Sequence, residues 1–291
     1  MPLDSSAYNL ALLRVDGRRW NEVRRLHAQM RTQAAADGSS YLEMGHTKVM
    51  CVVAGPSDAG GRRGGPAGGV STGGAAASSS SSQDRRAEIA VSIVVAGFSS
   101  VDRKRRGRAD KRILELQATI SAALSASLHT HLYPHSTIAV SLHVLAQDGS
   151  LLAALLNAAT LACIDAGIPM TSYIAACTAG STSTYAAADE AADPLLDLNH
   201  QEEQELPFLT VATLGVQGQQ REWEGGEEDK VVVLVCESRV QVSRLEGMLA
   251  VGVDGCKQMR KFLDGVVRDK GRRMVAEGTV ERGADLGMDV D

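Results

Sequence analysis

Aromatic residues and cysteines are scarce in this chain of 291 residues, in which aromatics make up 3% and there are five cysteines. No two cysteines stand in a C-x-x-C pair, so we predict neither a disulfide framework nor a zinc site. With so few aromatic rings, the chain lacks the stacked platform on which many single-strand-binding proteins hold bases. These absences exclude small secreted scaffolds and stacking binders of single strands.

Long apolar runs are also absent, since stretches such as Val231 to Cys236 are too short to cross a bilayer. The N-terminus, MPLDSSAYNLALLRVDGRR, has no basic start followed by an apolar segment, so we predict no secretory signal. The composition, 44% hydrophobic and 22% charged, is typical of a globular protein. We therefore expect a protein of the cytosol or nucleus.

Charge is unevenly distributed along a chain whose net charge is −5. The segment DRKRRGRADKR, from Asp102 to Arg112, holds seven basic residues and leads into a predicted helix, whose N-terminus disfavours cations. We predict that this basic cluster binds a phosphate backbone; a solvated charged face is the alternative. The run from Asp189 to Glu205 holds seven acidic residues and is interpreted as an acidic loop rather than as a magnesium or acid site. His129, His131 and His135 lack a carboxylate or cysteine at ligand spacing, so no metal is predicted there.

A low-complexity segment from Ser57 to Asp84, rich in Gly and Ser, separates two β-branched runs, Thr47 to Gly55 and Ala87 to Gly97. Such a segment has too little apolar surface to order itself. We predict a flexible insertion at the tip of a hairpin formed by these two strands.

Periodicity predicts the remaining elements in the order β-β-β-α-β-α-β-β-β-β-α. A helix follows the basic cluster, with apolar residues at 113, 116, 120, 124 and 128, and a strand starts at Ser136. Further strands are predicted at 172–177, 194–199, 208–217 and 230–237, and a long helix at about 239–268. This order predicts an α/β or α+β sandwich, with mixed sheets and packed helices.

The stretch AQDGSLLAALLNAATLACIDAGIPM, from Ala146 to Met170, opens with Asp-Gly-Ser and becomes almost wholly apolar. Asp-Gly-Ser before a helix is typical of an anion site, because free N–H groups there attract negative charge. Leu151 and Leu152, however, offer a phosphate no ligand. Leucines on all sides predict a buried core helix, for which Asp148 and Ser150 form the turn and the N-cap.

Several separated motifs together resemble the RNase PH family of phosphate-dependent exoribonucleases: LRVDGRRWNEVRRLHAQM, ADGSSYLEMGHTKVMCVVAGP, RILELQ and NAATLACIDAGIPM. The resemblance runs from Leu13 to about Arg268, without the insertion. It implies a βαβα fold similar to ribosomal protein S5 domain 2. It also implies one domain over 1–291, with its core at about 13–268, the flexible loop at 57–84 and a C-terminal tail at 269–291.

The resemblance further implies a non-catalytic ring subunit of an RNA exosome, which scaffolds the complex and guides single-stranded RNA through a central channel. Implied partners are other RNase PH-like subunits, S1/KH-type cap subunits and a separate hydrolytic 3′-5′ exoribonuclease. The implied processes are rRNA processing and RNA decay in the nucleus, nucleolus and cytoplasm. In related rings, the loops equivalent to the one with Arg62 and to the basic cluster face the channel at its narrow point. The residues predicted to bind RNA are Arg62, Arg63, Arg103, Lys104, Arg105, Arg106, Arg108 and Arg112.

Active relatives carry Gly-Thr-Arg at the start of the helix, where this chain has Ser150, Leu151 and Leu152. They also carry two aspartates near the positions of Glu203 and Glu205, and Arg112 matches a second phosphate arginine. Because the first arginine is missing, we predict a remnant site, no enzymatic activity, no catalytic residue, no metal and no cofactor. The alternatives are an active phosphate-dependent 3′-5′ exoribonuclease and an unrelated α/β binding protein.

Overall fold

A computed structural model describes residues 14, 16–58, 86–100, 103, 110–182, 193–215 and 230–276. Within these residues the strands are β1 (Leu26–Met30), β2 (Gly38–Met44), β3 (Thr47–Asp58), β4 (Glu88–Val95), β5 (Ser136–Ala146), β6 (Ile174–Ser181), β7 (Pro194–Leu196), β8 (Phe208–Leu214) and β9 (Lys230–Cys236). The helices are α1 (Lys111–Ser127), α2 (Leu151–Asp165), α3 (His200–Glu205) and α4 (Val242–Ala276). None of the described helices is long and apolar enough to span a membrane.

The strands form two sheets. The first has the order β1-β2-β3-β5-β4 and is antiparallel except for β4, which runs parallel to β5. The second has the order β7-β6-β8-β9 and is antiparallel throughout. The predicted hairpin of β3 and β4 is therefore wrong, because β5 lies between them. The chain crosses from β4 through α1 to reach β5, as a parallel pair requires.

Helix α2 lies between the two sheets and contacts both β2 and β6. Its residues from Leu152 to Cys163 are all buried, as expected for a helix that is apolar on every side. Every residue of β6 is buried as well, because α2 covers one face of its sheet and α4 packs against the other. The layers thus alternate as sheet, helix, sheet and helix, which confirms the predicted mixed sandwich.

The predicted segments compare with the structure as follows. The insertion expected at 57–84 lies outside the described residues except for Ser57 and Asp58, which belong to β3. The last helix, predicted at about 239–268, is α4 and continues to Ala276, into the segment expected as a tail at 269–291. Helix α3 was missed, because its six residues stand within the acidic run that we interpreted as a loop.

Candidate active site

The loop between β5 and α2 is the turn in which the sequence suggested an anion site. Gly149 has a φ of +77°, and a Cβ atom there would lie 2.6 Å from the carbonyl carbon of Asn199 and 2.7 Å from the carbonyl oxygen of Leu198. Thr47 fixes the loop from the other side, with its hydroxyl donating to the Gly149 carbonyl at 2.7 Å. Glycine is therefore required, because the segment after β7 leaves no room for a side chain.

Ser150 occupies the N-cap position of α2, but its side chain does not cap the helix, so that part of the prediction is wrong. Its backbone is left-handed, with a φ of 52°, and its hydroxyl lies 3.0 Å from Asp197 Oδ1 and 3.1 Å from the carbonyl oxygen of Leu198. The hydroxyl donates toward these two oxygens, of which the buried carboxylate is the stronger acceptor, and its own oxygen accepts no N–H group of the first turn. Ser150 thus joins α2 to the segment after β7.

Asp197 is fully buried and is held by Arg24, which precedes β1. Arg24 donates from Nη2 to Oδ1 at 2.8 Å and from Nε to Oδ2 at 3.1 Å, and its backbone N–H donates to Oδ2 at 2.8 Å. Burial alone would raise the pKa of Asp197, but the charge and hydrogen bonds of Arg24 outweigh burial and lower that pKa below its ordinary value. Asp197 is consequently a carboxylate at neutral pH. Arg24 also donates to the carbonyl of Asp148.

A second buried ion pair holds α3 in place. Arg14 donates through Nε to Glu202 Oε1 at 2.8 Å, and both side chains are at most 3% exposed. Glu202 and Asn199 form a capping box: the Glu202 N–H donates to Asn199 Oδ1 at 2.9 Å, and the Asn199 N–H donates to Glu202 Oε2 at 3.0 Å. This arrangement satisfies two N–H groups at the start of α3 and fixes the direction of the next side chain, Glu203.

Glu203 points at the start of α2, where its carboxylate accepts the Ser150 backbone N–H. Burial raises the pKa of Glu203 to about 7, although the Ser150 N–H and the charges of Arg24 and Arg112 oppose the shift. A side chain that is partly protonated at neutral pH can both donate and accept a proton. Glu203 is therefore the described residue of this site best suited to acid or base chemistry.

Glu203 faces a small cavity of about 100 Å³ between α1, α2 and the second sheet. The cavity is lined by Arg112, Glu115, Leu116, Thr119, Gln147, Leu151, Leu152, Glu203, Phe208, Thr210, Val235 and Glu237. Arg112 lies 3.6 Å from Glu237, and both side chains are more than half exposed, so this ion pair opens easily. One arginine, two α2 leucines and three carboxylates thus line the cavity at the start of α2.

The structure brings only one of the predicted RNA-binding residues, Arg112, into this cavity. Arg103 is exposed in the segment after β4, and the other six (Arg62, Arg63, Lys104, Arg105, Arg106 and Arg108) lie outside the described residues. Glu205 lines an adjacent groove, which Glu203 and Glu237 also line, but it does not line the cavity at the start of α2, which Glu203 does. The two glutamates are therefore not an equivalent pair.

Sequence reasoning missed Arg14 and Arg24, although both lie in the quoted N-terminal motif. Arg24 is 173 residues from Asp197, and no spacing rule links positions so far apart. No local pattern marked either arginine as buried, because a buried cation is recognised by its partner, and both partners lie far along the chain.

Comparisons with known proteins match this chain to exoribonucleases and to exosome components. A model described as 3′ exoribonuclease family, domain 1, matches residues 22–169. The exosome complex component SKI6 of Saccharomyces cerevisiae is 32% identical over 92% of this chain and 95% of its own length. The exosome complex component RRP41 of Homo sapiens is 34% identical over 88% of this chain and 90% of its own length.

Two solved structures share the fold. Rice Rrp46 has a TM-score of 0.66 and 21% identity, covering 88% of this chain and all of that one. A chain of the Archaeoglobus fulgidus exosome, solved with RNA bound to the active site, has a TM-score of 0.62 and 18% identity over 88% of this chain and 94% of that one.

These matches contradict the prediction that the chain has no enzymatic activity. The matched model describes exoribonucleases, and its span contains Arg24, Arg112 and Ser150. The prediction depended on one position, Leu152, whereas the cavity at the start of α2 is also built by Arg112 from α1 and Glu203 from α3. The cavity at the start of α2 therefore contains Arg112 and Glu203 although position 152 is a leucine.

Proposed function

The chain belongs to the RNase PH family of 3′ exoribonucleases, and from this premise we propose that it is a core subunit of an RNA exosome. The observation that carries the proposal is the match to curated exosome components over about nine-tenths of both chains. The subunit binds single-stranded RNA and assembles with other exosome subunits.

In finer detail, the subunit stands in a ring of RNase PH-like subunits, beneath S1/KH-type caps. It guides RNA through the central channel toward a separate hydrolytic 3′-5′ exoribonuclease, for rRNA processing and RNA decay in the nucleus, nucleolus and cytoplasm. Its eight predicted RNA-binding residues, Arg62, Arg63, Arg103, Lys104, Arg105, Arg106, Arg108 and Arg112, contact phosphates. Phosphate contacts position a strand of any sequence, as a channel needs.

The assembly is tested by purifying the tagged full-length chain from its own cells and measuring the mass of the intact complex. We expect a hetero-oligomer containing several different RNase PH-like subunits and RNA-binding caps. A monomer, or an oligomer of this chain alone, contradicts the proposal. If high salt alone releases the co-purified proteins, they were captured weakly. Subunits of a stable ring remain bound in high salt, because their interfaces bury apolar surface.

A second candidate function, phosphate-dependent 3′-5′ exoribonuclease activity, is favoured by the position of Glu203 beside Arg112. In this reaction an oxygen of inorganic phosphate attacks the last phosphodiester phosphorus, the bond to the 3′ oxygen breaks, and a nucleoside diphosphate leaves. The departing 3′ oxygen requires a proton, which Glu203 supplies from its protonated fraction near neutral pH. Arg112 stabilises negative charge on the phosphoryl group.

This activity predicts nucleoside diphosphates from single-stranded RNA only when inorganic phosphate is present. We expect Glu203→Gln to slow their release roughly 100-fold, because general acid catalysis typically contributes at least that much. The wild-type rate should fall above pH 7, as Glu203 loses its proton. Chromatography of the products measures both effects. Glu246→Gln, on the exposed face of α4, is the matched control; equal rates for the two variants contradict the assigned role.

A further inference from the structure

A second, larger pocket lies on the other side of Arg24 from Glu203. It has a volume of about 840 Å³, within the range of sites that hold a small ligand. It is formed by the segment before β1, the first half of β1, the β2–β3 turn and the loop before α2. Its charged lining consists of Asp16, Arg18, Arg24, Arg25, His27, Glu43, His46, Lys48 and Asp148.

The three carboxylates of this lining already have donors. Asp16 lies 3.1 Å from Arg18 Nη2 and also accepts the amide of Asn199 at 3.1 Å. Glu43 accepts the Tyr41 hydroxyl and lies 3.1 Å from Lys48 Nζ. The carboxylate of the third, Asp148, accepts the His200 N–H at 3.3 Å. Cations therefore offset the charges of Asp16 and Glu43 within the wall, whereas Asp148 has a neutral N–H donor.

The cations of the lining are not all offset. Arg24 is neutralised by Asp197 beneath the pocket, and Arg18 by Asp16. The side chains of Arg25 and His46 are exposed and have no hydrogen-bond or ion-pair partner among the described residues. An unpaired guanidinium and an imidazole at the mouth of a concave pocket are a ready set of donors for an oxyanion.

We propose that this pocket binds a phosphate group of the RNA backbone, as a second contact beside the candidate active site. The proposal rests on the proposed function, since it takes RNA as the ligand. The pocket shares elements with the candidate active site, and this favours RNA over an acidic peptide as its ligand. Arg24 and Asp148 line the pocket. Asp148 also begins the loop that carries Ser150, and Arg24 binds Asp197. Because the pocket and the candidate active site share the loop before α2, we place both contacts on one RNA chain.

The test compares Arg25→Ala with Arg31→Ala in the full-length chain. These arginines stand at opposite ends of β1, both are exposed, and only Arg25 lines the pocket. We expect Arg25→Ala to weaken binding of a labelled single-stranded RNA roughly tenfold at low salt, as loss of one charged contact predicts. The slope of log affinity against log salt should fall by about 0.7, the value for one phosphate contact on a single strand. His46→Ala should weaken binding in the same direction, and Arg31→Ala should change neither quantity.

Other outcomes distinguish failure of the proposed phosphate pocket from failure of the proposed exosome function. If Arg25→Ala and Arg31→Ala lose RNA affinity equally, or if neither loses it, the proposed pocket is wrong. RNA binding by the wild type would still support the proposed function. Absence of RNA binding by the wild type contradicts both. A parallel titration with inorganic phosphate distinguishes the source: loss of phosphate binding with unchanged RNA binding overturns the RNA assignment. Unchanged RNA binding with loss of partner subunits assigns the pocket to a protein contact and also overturns it.

Discussion

Asp197→Ala is expected to lower the free energy of unfolding by about 3–5 kcal/mol, the usual effect of removing one partner of a buried ion pair. The substitution leaves the Arg24 guanidinium, 6% exposed, without a counter-charge, and it removes an acceptor of the Ser150 hydroxyl. Urea denaturation at pH 7 measures the change.

Two controls identify the cause. Asp269→Ala breaks an ion pair with Arg272 whose side chains are 65% and 80% exposed, so it should cost less than about 1 kcal/mol. The double variant Arg24→Met/Asp197→Leu removes both charges and should be more stable than Asp197→Ala alone. If the double variant is the less stable of the two, lost packing rather than an unpaired charge explains the effect.

The same carboxylate makes stability depend on pH. Because the pKa of Asp197 is lower in the folded chain than in the unfolded chain, its contribution is fully present above the unfolded pKa, near 4. The contribution is lost as the pH falls from there toward the folded pKa. Asp197→Ala should accordingly cost less at pH 3 than at pH 7.

Glu203→Gln is expected to raise the free energy of unfolding by roughly 3 kcal/mol at pH 8, the second largest effect. The pKa of Glu203 rises from an ordinary 4.5 to about 7 on folding, and each pKa unit corresponds to about 1.4 kcal/mol. A raised carboxylate pKa favours the folded state below the unfolded pKa, and that advantage disappears as the pH rises through 7. Glutamine keeps an oxygen for the Ser150 N–H and carries no charge to bury.

The difference between wild type and Glu203→Gln should therefore be small at pH 4.5 and grow up to pH 8, opposite in direction to the effect of Asp197. Denaturation curves at several pH values measure it, with Glu246→Gln as the exposed control. A difference that is equal at pH 4.5 and pH 8 shows that Glu203 does not titrate in this range.

Most helices and strands followed from the sequence pattern: α1 has apolar residues at helical spacing, β5 alternates, and α2 is an almost continuous apolar run. The order of strands did not follow, because pairing of β4 with β5 depends on a crossover that no local pattern encodes. Helix α3 was within reach: Asn199 followed three residues later by Glu202 is a capping-box signal, which the acidic character of the run obscured.

The candidate site was predicted in part. Glu203 and Arg112 were both named from the sequence, but their shared cavity arises only when α1, α2 and α3 pack together. We interpreted Leu151 and Leu152 as evidence of a lost site. A sequence shows which residue is missing at the start of α2, but it does not show which distant residues pack beside that position. Arg24 was missed for the same reason, since its partner is 173 residues away.

That separation has a consequence during biosynthesis. Arg24 leaves the ribosome long before Asp197, and at about 5–20 residues per second a gap of 173 residues lasts roughly 10–35 s. The interval between synthesis of Arg14 and synthesis of Glu202 is longer still, because 188 residues separate them. By the end of that interval all five strands of the first sheet have been synthesised, but neither arginine has its counter-ion, so a nascent chain cannot close this end of the domain. Ribosome-bound chains that stop before residue 197 should leave both arginines open to a guanidine-specific reagent, and chains extended past Glu205 should protect them.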